Sequence, residues 1–172
     1  MIINTRPQRY EHNMRAALKG ATHEVVSSPL LVMKSFGIPR HILNDVDALI
    51  ITSPAAVEVI AQSQVSRVLP VFAVGSDSAM AALAAGFSNT TNGGGTASKL
   101  LRKIDHVDFQ NGLYVSARHV SRDLSEDLPE RLRRHIAYEM VPANDFSSSA
   151  LIALRASAPV IIPFYSPRSA QV

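Results

Sequence analysis

Cysteine is absent from all 172 residues, so a disulfide scaffold, a thiolate zinc site, an iron–sulfur cluster and a Cys nucleophile are excluded. Tryptophan is absent too and aromatics make up 6%, too few for a base-stacking platform on single-stranded nucleic acid. Charge is sparse: 18% of residues, against roughly 25% in typical soluble domains. The six histidines (His12, His23, His41, His106, His119 and His135) show no ligand-type spacing, so no metal site is expected. The dinucleotide fingerprint G-x-G-x-x-G, the P-loop Lys and the G-x-S-x-G elbow are missing as well, and no cofactor is expected. The longest apolar runs, near Ala79–Phe87 and Ala158–Tyr165, fall far short of the roughly 20 residues that cross a bilayer. The N-terminus MIINTRPQRY reads as a first buried strand and not as a signal peptide. These features predict a cytoplasmic soluble protein. What is present is a core: 47% of residues are hydrophobic. A slight basic excess, 17 against 14 and net +3, favours an anionic small-molecule partner over nucleic acid or membrane.

Apolar strand-like runs alternate with helix-like ones. Strands are expected at Met1–Asn4, Glu24–Met33 (interrupted at Pro29), Ala48–Thr52, Val71–Val74, Ser88–Thr91, Leu113–Ser116, Ile136–Val141 and Val160–Tyr165. Helices are expected at Gln8–Lys19 with Gly20 as C-cap, Ala55–Gln62, Ala79–Ala85, Thr96–Ile104, Asp123–Arg134 and Ser147–Arg155. Strands separated by helices of this length predict an α/β fold built on parallel sheets. ALIITSPAAV (Ala48–Val57) and VIIPFYSPRSA (Val160–Ala170) repeat one device, an apolar strand followed by Ser-Pro and small residues. Ser-Pro is a good helix start by itself, and the repetition also fits two similar α/β lobes.

Ligands of open α/β sheets sit beyond the C-terminal ends of the strands. Several residues fall at such positions. Thr5 and Arg6 follow the first strand. Ser53 and Ser166 stand at strand ends as helix N-caps, where backbone N–H groups and a partial positive charge meet anions. Ser76 and Ser78, in VGSDSA, offer the same device. Arg118, His119 and Arg122 form a basic cluster after the strand LYVSA. Arg131, Arg133 and Arg134 read instead as the solvated face of a helix, paired with Glu126, Asp127 and Glu130. Asn92-Gly93-Gly94-Gly95-Thr96 reads as a surface loop before a helix, with close approach to an anion as the alternative. Tyr138 is either a strand phenol able to donate a proton or a hydrogen bond inside a cleft, or a strand Tyr with an apolar body and a wet tip.

Taken in order, INTRP, SSPLLVM, DALIITSPAAVEVI, VFAVGSDSAMAALAAGF, GLYVSARHVSRDL, AYEMVP and FYSPRSA resemble the uroporphyrinogen-III synthase family over nearly the whole chain. The TSPAAV and FAVGSDSA pair at its spacing carries most of this. The resemblance implies two flavodoxin-like lobes with parallel sheets, joined by a two-stranded connection, with the active site in the cleft between them. The first lobe would hold residues 1–33 plus 142–172 and the second 34–141. Family chains run on through several elements after the FYSPRSA-like turn, and this chain stops at Val172, so the first lobe is expected to be incomplete.

The reaction implied is that of a cyclising hydro-lyase of porphyrin and heme biosynthesis. Hydroxymethylbilane, a linear tetrapyrrole bearing carboxylates, loses its terminal hydroxyl as water and closes with inversion of the last pyrrole. The resemblance makes Tyr138 the catalytic residue and places Thr5, Arg6, Ser53, Ser76, Ser78, Arg118 and Ser166 around the substrate. Because the azafulvene cation forms readily, the main task is orientation. The alternatives are a non-catalytic truncated or degenerate relative, or a two-lobe binding protein for an anionic ligand.

Overall fold

The structure is a computed structural model that describes residues 1–7, 10–20, 23–156, 158–164 and 168–171. The chain divides into two compact units, Met1–Met33 with Met140–Val172, and Lys34–Glu139.

In the first unit the short strand β1 (Ile2–Asn4) pairs in parallel with β2 (Val25–Ser27). Helix α1 (Glu11–Ala17) connects them, with Glu11 and Arg15 bonded one turn apart. Gly20 lies just past this helix at φ +92°, the left-handed conformation that ends helices at little cost to glycine. Helix α5 (Ser148–Arg155) is capped by Ser147, whose hydroxyl accepts from Ala150 N–H at 3.2 Å. Its small residues Ala150 and Ala153 bury against Ile3. Pro29 interrupts the 24–33 stretch as expected, so β3 (Leu31–Ser35) starts separately from β2.

The second unit is built on a sheet ordered β3-β8-β7-β4-β5-β6. Its parallel members are β4 (Ala48–Ile51), β5 (Val71–Ala73), β6 (Thr90–Asn92), β7 (Gly112–Ala117) and β8 (Leu132–Pro142). β4 is buried at every position, as its uninterrupted ALII run requires. Helices α2 (Pro54–Ala61) and α3 (Ser76–Ala84) connect β4 to β5 and β5 to β6, and they pack on each other. Helix α4 (Ala97–Ile104) then returns across the sheet to β7, so right-handed crossovers place it on the opposite face. There Leu100 and Ile104 close a core with Ile50, Phe72, Phe109, Tyr114, Leu124 and Leu132. The reversal of strand order between β4 and β7 is a topological switch point.

Four sequence expectations are corrected. Asp123–Arg134 is not a helix: Asp123 caps one 3₁₀ turn, Leu124–Glu126, and β8 begins at Leu132. Pro129 lies inside the expected helix, where it would remove a donor and clash with the preceding turn. The three arginines are accordingly not a solvated, i,i+4-paired face. Arg131 donates to Ile104 O and Val107 O at the end of α4 and stacks on Phe109; Arg133 donates to Ile42 O and Asn44 O. Of the expected strand Val160–Tyr165, residues 160–164 make a single parallel bridge, Ile161 to Ile2, since Pro159 and Pro163 have no N–H to extend a ladder; Tyr165 lies outside the described residues. Finally, α3 starts at Ser76 and not at Ala79, with extended Gly75 as its N-cap.

Candidate functional site

A cavity of about 410 Å³ opens at the switch point of the second unit. Thr52 and Ser53 reach it from the end of β4, and Val74 from the end of β5. Gly95, Thr96 and Ala97 come from the entry to α4. β7 supplies Tyr114 and Ala117, the following loop His119–Arg122, and β8 Tyr138.

Two helices begin at its wall. Ser53 caps α2, its hydroxyl accepting from Ala55 N–H at 3.2 Å with Pro54 in the first turn. Thr96 caps α4 by accepting from Lys99 N–H at 3.3 Å. The approach to Thr96 needs glycine. A Cβ on Gly93 would stand 2.8 Å from the Leu100 Cβ and 2.9 Å from Ala73 O, and Gly95 has φ +93°. The expected surface loop is thus tied to the sheet, with Gly93 N–H on Ala73 O and Gly95 N–H on Val74 O.

Beneath the cavity the Tyr114 ring is fully buried, and its hydroxyl lies 3.4 Å from the Thr52 Oγ1. Burial pushes the Tyr114 phenol above its ordinary value, more than the Thr52 hydrogen bond and the Arg134 charge pull it down. Tyr138 is also buried, 3% exposed, at the cavity wall. The β7–β8 register shifts by one residue at Ser116/Ala117, so that Ala117 pairs with Tyr138; such a bulge re-aims side chains at a strand end.

The 117–123 loop is pinned by Arg134. Its guanidinium donates to Ser116 Oγ at 2.7 Å, Ala117 O at 2.8 Å, Arg118 O at 3.1 Å and Asp123 Oδ2 at 2.7 Å. Asp123 in turn accepts from Ser125 N–H and Oγ. Burial raises the Asp123 carboxyl, but the bonds from Ser125 and Arg134 outweigh it and hold the group below its usual range. Arg122 lines the cavity with Nε and Nη2 on the Asp127 carboxylate and Nη1 on Ser98 Oγ.

Of the residues singled out from sequence, the structure brings Ser53, Tyr138, His119 and Arg122 to this cavity. Arg118 lies outside the lining; its Nε donates to Glu139 at 2.8 Å and its guanidinium covers Phe36. Ser76 and Ser78 fall in the first turn of α3, Ser78 buried, and neither lines the cavity. Thr5 and Arg6 belong to the first unit: the Thr5 hydroxyl donates to Pro163 O at 2.6 Å, and Arg6 sits over the Tyr10 ring. Ser166 lies outside the described residues. Sequence reasoning missed Thr52 and Tyr114, and it read Thr96 only as the end of a loop before a helix. The signals were a Thr closing ALIIT and the Gly-Gly-Thr-Ala-Ser helix start.

A model of the uroporphyrinogen-III synthase HemD family matches residues 12–172. The chain belongs to the uroporphyrinogen-III synthase family. That family comprises lyases of porphyrin and heme biosynthesis acting on a small tetrapyrrole. Among solved structures, the uroporphyrinogen-III synthetase of Helicobacter pylori 26695 superposes with a TM-score of 0.67 at 17% identity, over 99% of this chain and 75% of that one. A mutant uroporphyrinogen III synthase of Thermus thermophilus gives a TM-score of 0.49 at 17% identity, over 83% of this chain and 63% of that one. No curated protein matches the chain in sequence. At 17% identity the likeness to the Helicobacter pylori structure speaks for the fold. The α/β architecture with parallel sheets expected from the sequence is the family's fold. Among the described residues no helix is long and apolar enough to cross a membrane.

Proposed function

We propose that this chain is a uroporphyrinogen-III synthase, converting hydroxymethylbilane to uroporphyrinogen III. The substrate hydroxyl leaves with a proton as water; the substituted carbon of the last pyrrole attacks the resulting cation, its original bond to the bridging methylene breaks, and that methylene bonds the ring's free carbon, which gives up its proton. The observation that carries the reading is the chemistry of the cavity wall. Among the described residues that line it there is no Asp or Glu, while Arg122, His119 and the starts of α2 and α4 all favour anions. A cavity of about 410 Å³ takes part of a linear tetrapyrrole with its acid arms and leaves the remainder outside. The phenol of Tyr138, at the cavity wall, supplies a hydrogen bond. In the proposed mechanism Tyr138 assists departure of the hydroxyl, and the helix starts hold carboxylates so that the last ring presents its substituted carbon. The rate gain then comes mainly from orientation.

The isomer ratio tests this. Unguided closure yields isomer I, because the less crowded carbon attacks when nothing constrains the chain. Adding the protein to hydroxymethylbilane should divert the product to isomer III. Isomer I alone, from protein that still binds a uroporphyrin, would overturn the enzyme reading and leave an anion-binding relative.

A further inference from the structure

We propose that the outer edge of the Arg122 guanidinium recognises one carboxylate of the tetrapyrrole, and that Asp127 is the residue that positions it. The inference deepens the synthase reading and rests on it for the identity of the ligand. Arginine presents five N–H donors along two carboxylate-sized edges, Nε with Nη2 and Nη1 with Nη2. Asp127 takes the first edge in a bidentate pair, Nε to Oδ2 at 3.0 Å and Nη2 to Oδ1. Ser98 Oγ takes one Nη1 hydrogen at 3.3 Å. Among the described residues the other two N–H groups, one on each terminal nitrogen, meet no acceptor. The free Nη2 hydrogen lies on the second edge, and Nη1 keeps one further donor beside it.

The placement of the two partners matters as much as the count. Arg122 lines the cavity and Asp127 does not, so the carboxylate is kept off the cavity wall and the donors that Asp127 and Ser98 leave over remain for the ligand. Asp127 and Ser98 come from different segments, the end of the 3₁₀ turn and the first turn of α4, and together they fix the plane of the fork. Held this way, a guanidinium loses less freedom when it meets a carboxylate than a side chain waving in water. A structural reading, in which the pair merely ties the loop to α4, predicts no dependence of ligand affinity on the shape of the cation.

The test uses two readouts on the full chain: fluorescence titration with uroporphyrin III, and steady-state turnover of hydroxymethylbilane. Arg122→Gln should weaken uroporphyrin binding and raise KM by about tenfold to a hundredfold, the size of one charge-assisted hydrogen-bonded pair, with kcat within about threefold. Arg122→Lys keeps the charge and loses the fork, and should recover little. Asp127→Asn should raise KM less, by about three- to tenfold, and Asp127→Glu should recover most of that loss. Thermal melts within a few degrees of the parent show that the variants fold. Binding and KM unmoved by Arg122→Gln, or full recovery in Arg122→Lys, would overturn the proposal. Arg122-dependent uroporphyrin binding with only isomer I formed would sink the synthase reading and leave the carboxylate site standing. Isomer III formed with an unmoved KM would do the reverse, and protein that neither binds nor turns over refutes both.

Discussion

Removing the Asp123 carboxylate should destabilise the chain far more than an ordinary loop substitution does. The group performs two jobs at once. Oδ1 caps the Leu124–Glu126 turn through Ser125 N–H at 3.0 Å and Oγ at 2.6 Å, while Oδ2 receives Arg134 Nη1 at 2.7 Å. Both partners are largely covered, the side chains 20% and 19% exposed, so water replaces little of what is lost. A lost cap costs about 1 kcal/mol, and a lost charge-assisted hydrogen bond about 2. Asp123→Ala should therefore cost about 3 kcal/mol, a fall of about 6–12 °C in Tm for a chain of this size. Asp123→Asn keeps an oxygen for Ser125 and should cost about 2 kcal/mol. The pH dependence gives an independent check. The folded-state carboxyl lies below its usual range, so its stabilisation is fully present above the unfolded value near 4 and is lost as pH falls through the folded one. Urea denaturation of parent and Asp123→Asn should show the full gap at neutral pH and a shrinking gap below about pH 4. Equal stabilities at neutral pH, or a gap unchanged well below about pH 3, would refute the assignment of that energy to the ion pair.

Tyr138→Phe should fold normally and lose roughly tenfold in kcat, the usual size of one modest acid–base or hydrogen-bond contribution; an unchanged rate in active protein removes Tyr138 from the site. Gly93→Ala should cost about 2–3 kcal/mol, because the added Cβ meets Leu100 and the Ala73 carbonyl below 3 Å, and the melt should report it. Of the four tyrosines, Tyr114 should resist ionisation beyond the usual value near 10. An alkaline absorbance titration of parent against Tyr114→Phe reads this directly. Because the raised folded value means the unfolded chain loses its proton first, stability should decline as pH climbs above about 10.

The Ser53-Pro54 helix start could be read locally, since a cap hydroxyl and a fixed proline φ act within three residues. The four-residue run of β4 and the break at Pro29 were legible for similar reasons. Arg131–Arg134 was misread because charges three and four apart suit a helix as well as a strand whose arginines find loop carbonyls. Only Pro129 favoured the strand side. Tyr114 and Thr52 are 62 residues apart, and no short-range pattern joins them. The Gly93–Gly95 segment looked like a surface loop because its close approach to Ala73 depends on a strand that lies twenty residues earlier.

By itself, the sequence determined the alternation of strands and helices, the α/β class, the helix starts at Ser53 and Ser147, and the family's ordered motifs. Those rest on local capping, on proline and glycine geometry, and on runs of apolar residues, all of which act over a few positions. Tertiary structure decided which candidates meet. The parallel register sets Tyr114 beside Ile50, a one-residue bulge sets Tyr138 opposite Ala117, and the return of α4 across the sheet brings Ser98 to Arg122. Strand order and crossover side are settled by burying both sheet faces at once, a condition on the whole second unit that no single stretch of chain expresses.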